Sequence, residues 1–425
     1  MSEYKNTLEF AESKDQNDPL RKWRDEFHFP SFHEKPVVYL TGNSLGLQPK
    51  RTQSYIQQEL DDWAKWGVEG HFDAKNPWYS YHELLSEKAA NIVGALTKEV
   101  VITHSLTTNL HLLMVSFYQP EGKRIKILCE GKAFPSDQYA LQSQIKHHGY
   151  TIDEALVELF PREGEETLRH EDVIKKINEL GDELALVMIG GVNYYTGQLF
   201  DMKSITEAGH KVGAKVGFDL AHAAGNVELS LHDWKVDFAA WCTYKYLNSS
   251  PGGVAGLFVH EKHLSNKSLV RFAGWWGHNK EERFKMEHEF QPMESAESWQ
   301  LSNAPILGMA AHLASLDMFD EVGMEAISKK RDELTAYLEC IIHDVSESTE
   351  GTTFEIITPK NPKERGSQLS ILAHGQGKVL FDAMSKEGVV ADWREPNVIR
   401  VAPVPLYNSF EDCYRFGEIL KNSVQ

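Results

Sequence analysis

The sequence predicts an α/β protein built on a mainly parallel sheet flanked by helices. From about residue 85 to about residue 260, apolar runs typical of buried strands alternate with amphipathic runs typical of helices. The helical segment SITEAGHKVG (204–213) lies between two of the apolar runs and is closed by Gly213. The strand candidates are RIKILCE (124–130), LALVMIGGV (184–192), KVGFDLAH (215–222), DFAAWCTYKY (237–246) and VAGLFVH (254–260). Because strands and helices alternate, ligands are expected at the carboxyl ends of the strands.

The pattern changes near both ends of the chain, which predicts a smaller second domain and an N-terminal arm. The stretch 312–345 has long helical periodicity, and FEIITP, SQLSILA and a tail helix from about residue 409 follow it. Near the N-terminus, DPLRKWRDEFHFP predicts a short helix that ends at Pro30. We therefore expect an arm over 1–36 that packs with the small domain, a large ligand-binding domain over 37–305 and a small C-terminal α+β domain over 306–425.

The charge balance argues against nucleic acid and membrane surfaces as partners. The 425 residues include 44 Lys and Arg against 62 Asp and Glu, a net charge of −18. Such a charge opposes non-specific attraction to polyanions, so an anionic ligand has to be bound by a local cluster of donors. The polar N-terminus and the lack of a long apolar run predict neither a signal peptide nor a membrane span, and hence a cytoplasmic protein.

The cysteines predict neither a disulfide framework nor a metal site. Cys129, Cys242, Cys340 and Cys413 are far apart in sequence and form no CxxC pair. We interpret them as reduced thiols packed in the core.

The densest site signal lies between Asp219 and Lys245. FDLAH places Asp219 and His222 at the end of one predicted strand, and CTYKYLN places Tyr244 and Lys245 at the end of another. A lysine at the mouth of an apolar sheet has a more readily deprotonated amine, which is the state that forms a Schiff base. A carboxylate on a neighbouring strand would keep the ring nitrogen of pyridoxal phosphate (PLP) protonated. The alternative is an ordinary ion pair at the rim of the sheet.

Two further segments offer contacts for such a cofactor. In THSLTTNLHLLMVSFY, Ser105, Thr107 and Thr108 precede an apolar helical run, where a helix N-terminus would favour a phosphate; simple N-capping is the alternative. FPSD (134–137) follows a predicted strand, and Phe134 is either a core residue or a ring-stacking partner.

Arg400 lies in the apolar, proline-punctuated strand NVIRVAPVPLYNS. A buried arginine requires a partner, which is either a substrate carboxylate held by two hydrogen bonds or an internal Asp or Glu.

These segments together resemble kynureninase, a family in the aspartate-aminotransferase-like group of PLP enzymes (fold type I). The resemblance covers nearly the whole chain, and its matching segments are YLTGNSLGLQPK (39–50), GKAFPSDQYA, GVNYYTGQ, GFDLAHAAGNVELSLHDWKVDFAAWCTYKYLN, RFAGWWGH and IRVAPVPLYNS. It implies that the large domain binds PLP, that the protein is a homodimer with its PLP sites near the interface, and that it acts on a small amino acid of the kynurenine pathway, in tryptophan catabolism or in NAD biosynthesis.

The resemblance also implies roles for individual residues. Lys245 forms the Schiff base with PLP, Asp219 pairs with the pyridine nitrogen, and Arg400 binds the α-carboxylate of the substrate. The remaining residues that match cofactor contacts are Leu106, Thr107, Phe134, Pro135, Ser136, Asp137, His222 and Tyr244, with Trp275 and Asn303 expected from the partner subunit. Gly190 departs from the pattern, because relatives can carry a serine contact there.

By the same resemblance the reaction is hydrolytic cleavage of the Cβ–Cγ bond of kynurenine or 3-hydroxykynurenine, giving alanine and anthranilate or its 3-hydroxy form. Lys245 would act as the base at Cα, and Tyr244 would relay protons or only bind phosphate. His71, Ser302 and Asn303 match the aryl pocket, and their polar groups favour the hydroxylated substrate. If His71 is instead a structural or interface residue, both substrates serve. Another fold type I enzyme, such as a cysteine desulfurase or an aminotransferase, and a non-catalytic PLP-binding protein remain as alternatives.

Overall fold

The strands form one large sheet and several smaller ones in the structure, a computed structural model that describes residues 4–424. In chain order these strands are β1 (Phe27–His28), β2 (Ser31–Phe32), β3 (Lys35–Pro36), β4 (Val38–Tyr39), β5 (Gln48–Pro49), β6 (Val100–Thr103), β7 (Lys126–Glu130), β8 (Leu156–Leu159), β9 (Leu184–Gly190), β10 (Lys215–Asp219), β11 (Phe238–Cys242), β12 (Ala255–Val259), β13 (Thr353–Ile356), β14 (Leu369–His374), β15 (Val389–Val390), β16 (Asp392–Arg394) and β17 (Val398–Val401).

Helices cover the intervening segments. The α-helices of the described residues are α1 (Leu8–Gln16), α2 (Thr52–Trp66), α3 (Gly70–Asp73), α4 (Glu83–Val93), α5 (Leu106–Phe117), α6 (Pro135–His147), α7 (Ile152–Ala155), α8 (His170–Leu180), α9 (Met202–Lys211), α10 (Ile306–Val322), α11 (Met324–Ser348), α12 (Lys378–Lys386) and α13 (Phe410–Ser423). Short 3₁₀ helices lie at Arg21–Glu26, Gly67–Glu69, Trp78–Ser80, Thr97–Glu99, Gly181–Glu183, Glu261–His263, Trp275–Gly277, Arg283–Lys285, Ala296–Trp299 and Pro362–Glu364.

The large sheet has the strand order β6-β12-β11-β10-β9-β7-β8. Within it β12 runs antiparallel to β6 and β11, and the other neighbouring strands pair in parallel. The predicted mainly parallel sheet is therefore confirmed, with each of the five predicted strands in it. β6 and β8, which the sequence analysis did not single out, form its edges, where short strands of four residues give little periodicity to read.

Burial on both faces explains why the central strands read as continuous apolar runs. Ile127, Met188, Phe238 and Leu257 pack in one cluster with α5 residues such as Leu113. Close packing also leaves no room for a side chain at two glycine positions in the strands. A Cβ on Gly217 would lie 2.2 Å from the Phe238 ring, and one on Gly256 would lie 2.2 Å from Trp241.

The structure divides into two units that are not contiguous in sequence. The first comprises the chain up to Arg51, Val192–Leu199 and the chain from Glu321 onward, and the second comprises Thr52–Gly191 and Phe200–Asp320. The predicted division is linear and has its boundaries at 36/37 and 305/306. It assigns residues 192–199 to the large domain, whereas in the structure they belong to the first unit.

The first unit is an α+β structure. Its four-stranded antiparallel sheet has the order β13-β14-β17-β16, and its core includes Ala11 of α1, Leu334 of α11 and Phe416 of α13. The carboxylate of Asp15 on α1 accepts the amides of Phe410 and Glu411 at the start of α13, at 2.8 and 3.0 Å.

The long predicted helical stretch 312–345 proves to be two helices. α10 ends at Val322 and α11 begins at Met324, because Gly323 between them adopts φ +79°. Across residues 4–424 we find no helix that combines the length and the apolar character required to cross a membrane.

Candidate functional site

The carboxyl ends of parallel strands in the second unit bring several predicted site residues together. Asp219 ends β10 and stands in register with Gly190, the last residue of β9. Glu130 ends β7, on the far side of β9. Lys245 and Tyr244 follow the end of β11 directly. The sheet topology therefore brings an amine and two carboxylates together at the carboxyl ends of the strands, as expected for a ligand site of this architecture.

The amine of Lys245 is held against an imidazole. Its Nζ atom lies 3.0 Å from Nε2 of His222, a buried residue in the turn that follows β10. Two aromatic rings flank the amine, since Nζ is 5.9 Å from the ring centre of Phe134 and 6.0 Å from that of Tyr244. Phe134 is 40% exposed, which fits a ring that stacks on a ligand better than a core residue.

Asp219 and Asp137 form a buried carboxyl pair beside this lysine. Each is 8% exposed, and the two side chains are hydrogen-bonded to each other. Burial raises the pKa of Asp137 well above its usual range, and the charge of Asp219 adds to this effect. Burial also raises the pKa of Asp219, while the Asp137 hydrogen bond, the Lys245 charge and the amide of Ala221 at 2.7 Å oppose it. Asp137 is thus the member that keeps a proton, and Asp219 carries the negative charge.

Two helix N-termini meet next to this pair. Leu106 is the first residue of α5, and Pro135 is the first residue of α6. The hydroxyls of Thr107 and Ser136, one from each helix, lie 2.7 Å apart. Ser105 occupies the N-cap position of α5, but its hydroxyl contacts that of Thr108 at 2.9 Å and does not cap the helix backbone. The amides and hydroxyls here are therefore suited to an anion.

The hydroxyl of Tyr244 is hydrogen-bonded to the thiol of Cys242. Cys242 is 3% exposed and is the last residue of β11. Burial raises the pKa of the Tyr244 hydroxyl, and the neighbouring thiol adds to the shift, so the phenol is neutral at physiological pH.

These residues fit PLP. Lys245 offers an amine for covalent attachment, Asp219 a carboxylate for a protonated ring nitrogen, Phe134 an aromatic face, and the α5 and α6 N-termini donors for a phosphate. In addition, Oδ1 of Asp137 is buried and has no hydrogen-bond partner among residues 4–424, which leaves an acceptor open to a polar group of a ligand.

The predicted aryl-pocket residues lie on separate segments. His71 in α3 binds the Val68 carbonyl through Nδ1 at 2.9 Å and contacts the Trp78 ring edge-on. Ser302 and Asn303 are exposed, and no hydrogen bond joins them to His71 within the described part of the chain. Trp275 is 44% exposed, and its Nε1 donates to the Arg283 carbonyl at 3.1 Å. Other exposed apolar side chains lie near it: the Phe284 ring packs edge-on against Trp275, Phe72 contacts Phe284, and Met286 lines the same cleft as Trp275.

Arg400 lies in the first unit, on β17. It is 1% exposed and pairs with Asp392, which stands opposite it on β16, with Nη2 and Oδ1 2.8 Å apart. Its Nη1 donates to the backbone carbonyl of Tyr194. Of the two partners expected for this arginine, the internal carboxylate is the one that the structure contains.

Two residues that the sequence analysis passed over help to build the site. His104 adopts φ +49° before α5, and its ring binds Asn109 on that helix at 3.0 Å and the Leu301 amide at 3.2 Å. It thereby ties the α5 N-terminus to the segment that carries Ser302. Glu130 binds the amide of Gly190 through both of its oxygens, at 3.1 and 3.2 Å. Its signal was present in the sequence, since it ends an apolar strand as Asp219 does.

Relatives of known family cover nearly the entire chain. Residues 327–420 match the family model described as the kynureninase C-terminal domain. The kynureninase of Flavobacterium johnsoniae is 61% identical over 421 residues, which is 99% of each chain. The kynureninase of Myxococcus xanthus is 53% identical and covers 98% of this chain and 97% of its own. That of Nematostella vectensis is 49% identical, with 97% and 93% covered.

Solved structures with low sequence identity share the fold. A cysteine desulfurase from Thermococcus onnurineus NA1 superposes with a TM-score of 0.73 at 17% identity, over 91% of this chain and 94% of that one. A mutant of the cystine C–S lyase C-DES, with glycine covalently linked to its PLP cofactor, gives a TM-score of 0.77 at 16% identity, over 93% and 98%. These likenesses confirm the predicted fold class.

Proposed function

The chain belongs to the kynureninase family, and from that premise we propose that it is a PLP-dependent enzyme that hydrolyses the Cβ–Cγ bond of a kynurenine-type amino acid. The products are L-alanine and anthranilate or 3-hydroxyanthranilate, with one water consumed for each bond cleaved. The observation that carries the proposal is the placement of the Lys245 amine beside His222 and the Asp137–Asp219 pair, at the carboxyl ends of the parallel strands.

When bound, PLP supplies an electron sink that stabilises negative charge at the substrate Cα. Lys245 would attach the cofactor covalently, and its amine, once free, would be the base that takes the Cα proton. His222 at 3.0 Å orients that amine and can accept a proton from it. Asp219 keeps the ring nitrogen protonated, and its amide partner Ala221 holds it in place.

The other residues bind and orient. The N-terminal amides of α5 and α6, with the hydroxyls of Thr107 and Ser136, would hold the phosphate, and Phe134 would offer an aromatic face to the ring. Tyr244, neutral because it is buried, donates a proton or a hydrogen bond at the site. Leu106 and Pro135 would complete the cofactor contacts made by the same chain, and the partner subunit's Trp275 and the partner subunit's Asn303 would add two more. Arg400 binds the substrate carboxylate, and its guanidinium can hold two oxygens at once.

The favoured substrate is 3-hydroxykynurenine. His71, Ser302 and Asn303 offer polar groups to a ring hydroxyl, and a site that bonds a hydroxyl discriminates against the analogue without it. This part of the proposal rests on the family positions of the three residues. His71 can still take part, because the Val68 carbonyl engages only its Nδ1 atom and Nε2 can face a ring hydroxyl.

The protein acts as a cytoplasmic homodimer in tryptophan catabolism. The exposed apolar side chains around Trp275 support a surface that a second copy covers, since contiguous apolar groups of this size are uncommon on monomers. Sedimentation equilibrium of the PLP-loaded protein checks this, and a monomer at micromolar concentration would contradict it.

A cysteine desulfurase activity has less support, although desulfurases share the fold. Such an enzyme requires a reactive, mobile thiol. Cys129, Cys242 and Cys413 are buried, and burial raises the pKa of each thiol, so thiolate nucleophiles are disfavoured. Cys340 is half-buried and lies against the Tyr4 carbonyl.

Steady-state kinetics test the proposal directly. The PLP-loaded protein is given L-kynurenine and 3-hydroxy-L-kynurenine in parallel, without a keto acid, and alanine and the aryl amine are both measured. Equal release of the two products supports hydrolytic cleavage, and a higher kcat/KM with the hydroxylated substrate supports the aryl pocket. Preference for plain kynurenine would remove the pocket argument alone. No alanine from either substrate would overturn the proposed function in favour of another PLP activity.

A further inference from the structure

Glu130 is a buried carboxylate with no role in the chemistry proposed above. It ends β7, is 5% exposed, and accepts the Gly190 amide with both oxygens, at 3.1 and 3.2 Å. Gly190 is the residue of β9 directly opposite Asp219 on β10. Glu130 and Asp219, the carboxylate proposed to pair with the ring nitrogen of the cofactor, are therefore on strands that flank β9 on its two sides.

The surroundings of Glu130 favour its uncharged form. Burial raises its pKa to about 7, and the charge of Asp219 adds to this, while its own backbone amide and that of Gly190 lower it. In turn, the charge of Glu130 contributes to the raised pKa of Asp137. The titratable groups on the elements around it are Asp219 and His222 at the end of β10, Asp137 on α6, Lys245 after β11, Cys129 on β7 and Glu158 on β8.

Holding the Gly190 amide does not in itself require a charge. A glutamine oxygen would also accept this amide, although the glutamine NH2 group would replace the second acceptor oxygen. A buried carboxylate close to another is unfavourable when both are charged, because the low dielectric strengthens their repulsion. Unlike a glutamine, a glutamate at this position can ionise, and with a pKa of about 7 its carboxyl group gains or loses its charge in the neutral pH range.

We propose that Glu130 is a positioning residue that sets, by gaining or losing its proton, the negative potential which Asp219 presents to the ring nitrogen of bound PLP. The inference rests on the proposed function, since it assumes that PLP occupies this site. Below neutral pH Glu130 is uncharged and Asp219 acts alone. As the pH rises through neutrality, a second negative charge strengthens the hold on the protonated ring nitrogen.

The test is PLP binding to the apoprotein, followed by the quenching of tryptophan fluorescence. Kd is measured at about pH 6 and about pH 8, on either side of the Glu130 transition, for the unmodified protein, Glu130→Gln and Glu158→Gln. Glu158 is the matched control, because it lies on the neighbouring strand β8 but is exposed. Taking the ratio of variant to unmodified Kd cancels the titrations of PLP and Lys245, which are common to all three proteins.

The ratio for Glu130→Gln should rise by about 3-fold to 10-fold between the two pH values, as expected for one added charge at an effective dielectric constant near 20. The ratio for Glu158→Gln should stay constant. An unchanged ratio for Glu130→Gln would overturn the inference, whereas failure of the unmodified protein to bind PLP would overturn the proposed function instead.

A second measurement does not depend on the variant folding. Infrared spectra of the unmodified apoprotein, with and without ¹³C-labelled glutamate, identify protonated glutamate side chains by their carboxylic-acid stretch. We expect one such band in the acidic range that disappears as the pH rises through neutrality. If all glutamates are already ionised well below that range, Glu130 cannot act as proposed.

Discussion

The amine of Lys245 and Nε2 of His222 lie 3.0 Å apart in a buried part of the second unit. An ammonium group can only donate a hydrogen bond, and a neutral imidazole nitrogen can accept it. When the amine is neutral, the ring nitrogen can donate instead. The two groups can therefore be hydrogen-bonded in either direction, which suits a lysine proposed to act in turn as an attachment point and a base.

Lys245→Ala should abolish turnover while leaving the fold intact. Loss of a group that is both the attachment point and the base typically lowers kcat by about 10³-fold to 10⁶-fold. PLP should still bind, because the helix N-termini and Asp219 remain, but gel filtration in an amine-free buffer should remove it. Lys211→Ala is the control, since Lys211 is exposed at the end of α9. A Lys245→Ala protein with more than a tenth of the original kcat would contradict the assignment.

Asp137→Asn should stabilise the apoprotein at neutral pH although it weakens PLP binding. The pKa of Asp137 is raised by burial and by Asp219, so unfolding at neutral pH releases its proton. For a carboxyl group with a raised folded pKa, stability is lost as the pH rises above the unfolded pKa of about 3.9. An asparagine has no proton to lose and can still donate to Asp219.

The free energy of unfolding should therefore be about 1–3 kcal/mol higher for Asp137→Asn near pH 7, and the difference should vanish near pH 4. Urea titrations of both apoproteins at several pH values provide the measurement. A difference independent of pH would mean that packing, not ionisation, is responsible.

Asp237 should stabilise the second unit through its ionised form. It is 1% exposed and accepts hydrogen bonds from His210 at 2.8 Å, His263 at 2.7 Å and the Val216 amide at 2.8 Å. Burial alone would raise its pKa, but the two histidines and Lys262 outweigh burial and hold the pKa well below its usual range. For a carboxyl group with a depressed folded pKa, the stabilisation is fully present above the unfolded pKa of about 3.9. It is lost progressively as the pH falls from there toward the folded pKa.

Asp237→Asn should consequently lower the free energy of unfolding by about 2–4 kcal/mol at neutral pH, with the deficit shrinking below about pH 4. Denaturant titration near pH 7 and near pH 2, well below the unfolded pKa, measures both quantities. Asp233→Asn, an exposed position near the same end of the sheet, is the control. Equal deficits at the two pH values would show that the ionised form is not what matters.

The sequence predicted those features of the fold and site that depend on local pattern. Asp219 and Lys245 stood out because each follows an apolar strand, and parallel strands bring such ends together. The break at Gly323 was not predicted, since apolar residues keep helical spacing on both sides of it. An internal Asp or Glu was one of the two partners expected for Arg400, but its identity as Asp392 was not predicted, because Asp392 faces Arg400 only through the register of β16 on β17.

Arg400→Lys tests whether this buried arginine serves the substrate or only its internal partner. A lysine keeps the charge but loses the planar fork that holds two carboxylate oxygens, so KM should rise by about 10-fold to 100-fold with a smaller change in kcat.

Asp392→Asn is the matched comparison, because it removes the carboxylate 2.8 Å from Nη2 and leaves the arginine in place. If Arg400 binds substrate, Asp392→Asn should lower the melting temperature without raising KM, since removing a competing anion does not weaken the hold on another. If both variants lose stability alike and neither changes KM, the arginine is a structural partner of Asp392, and the substrate carboxylate must be bound elsewhere.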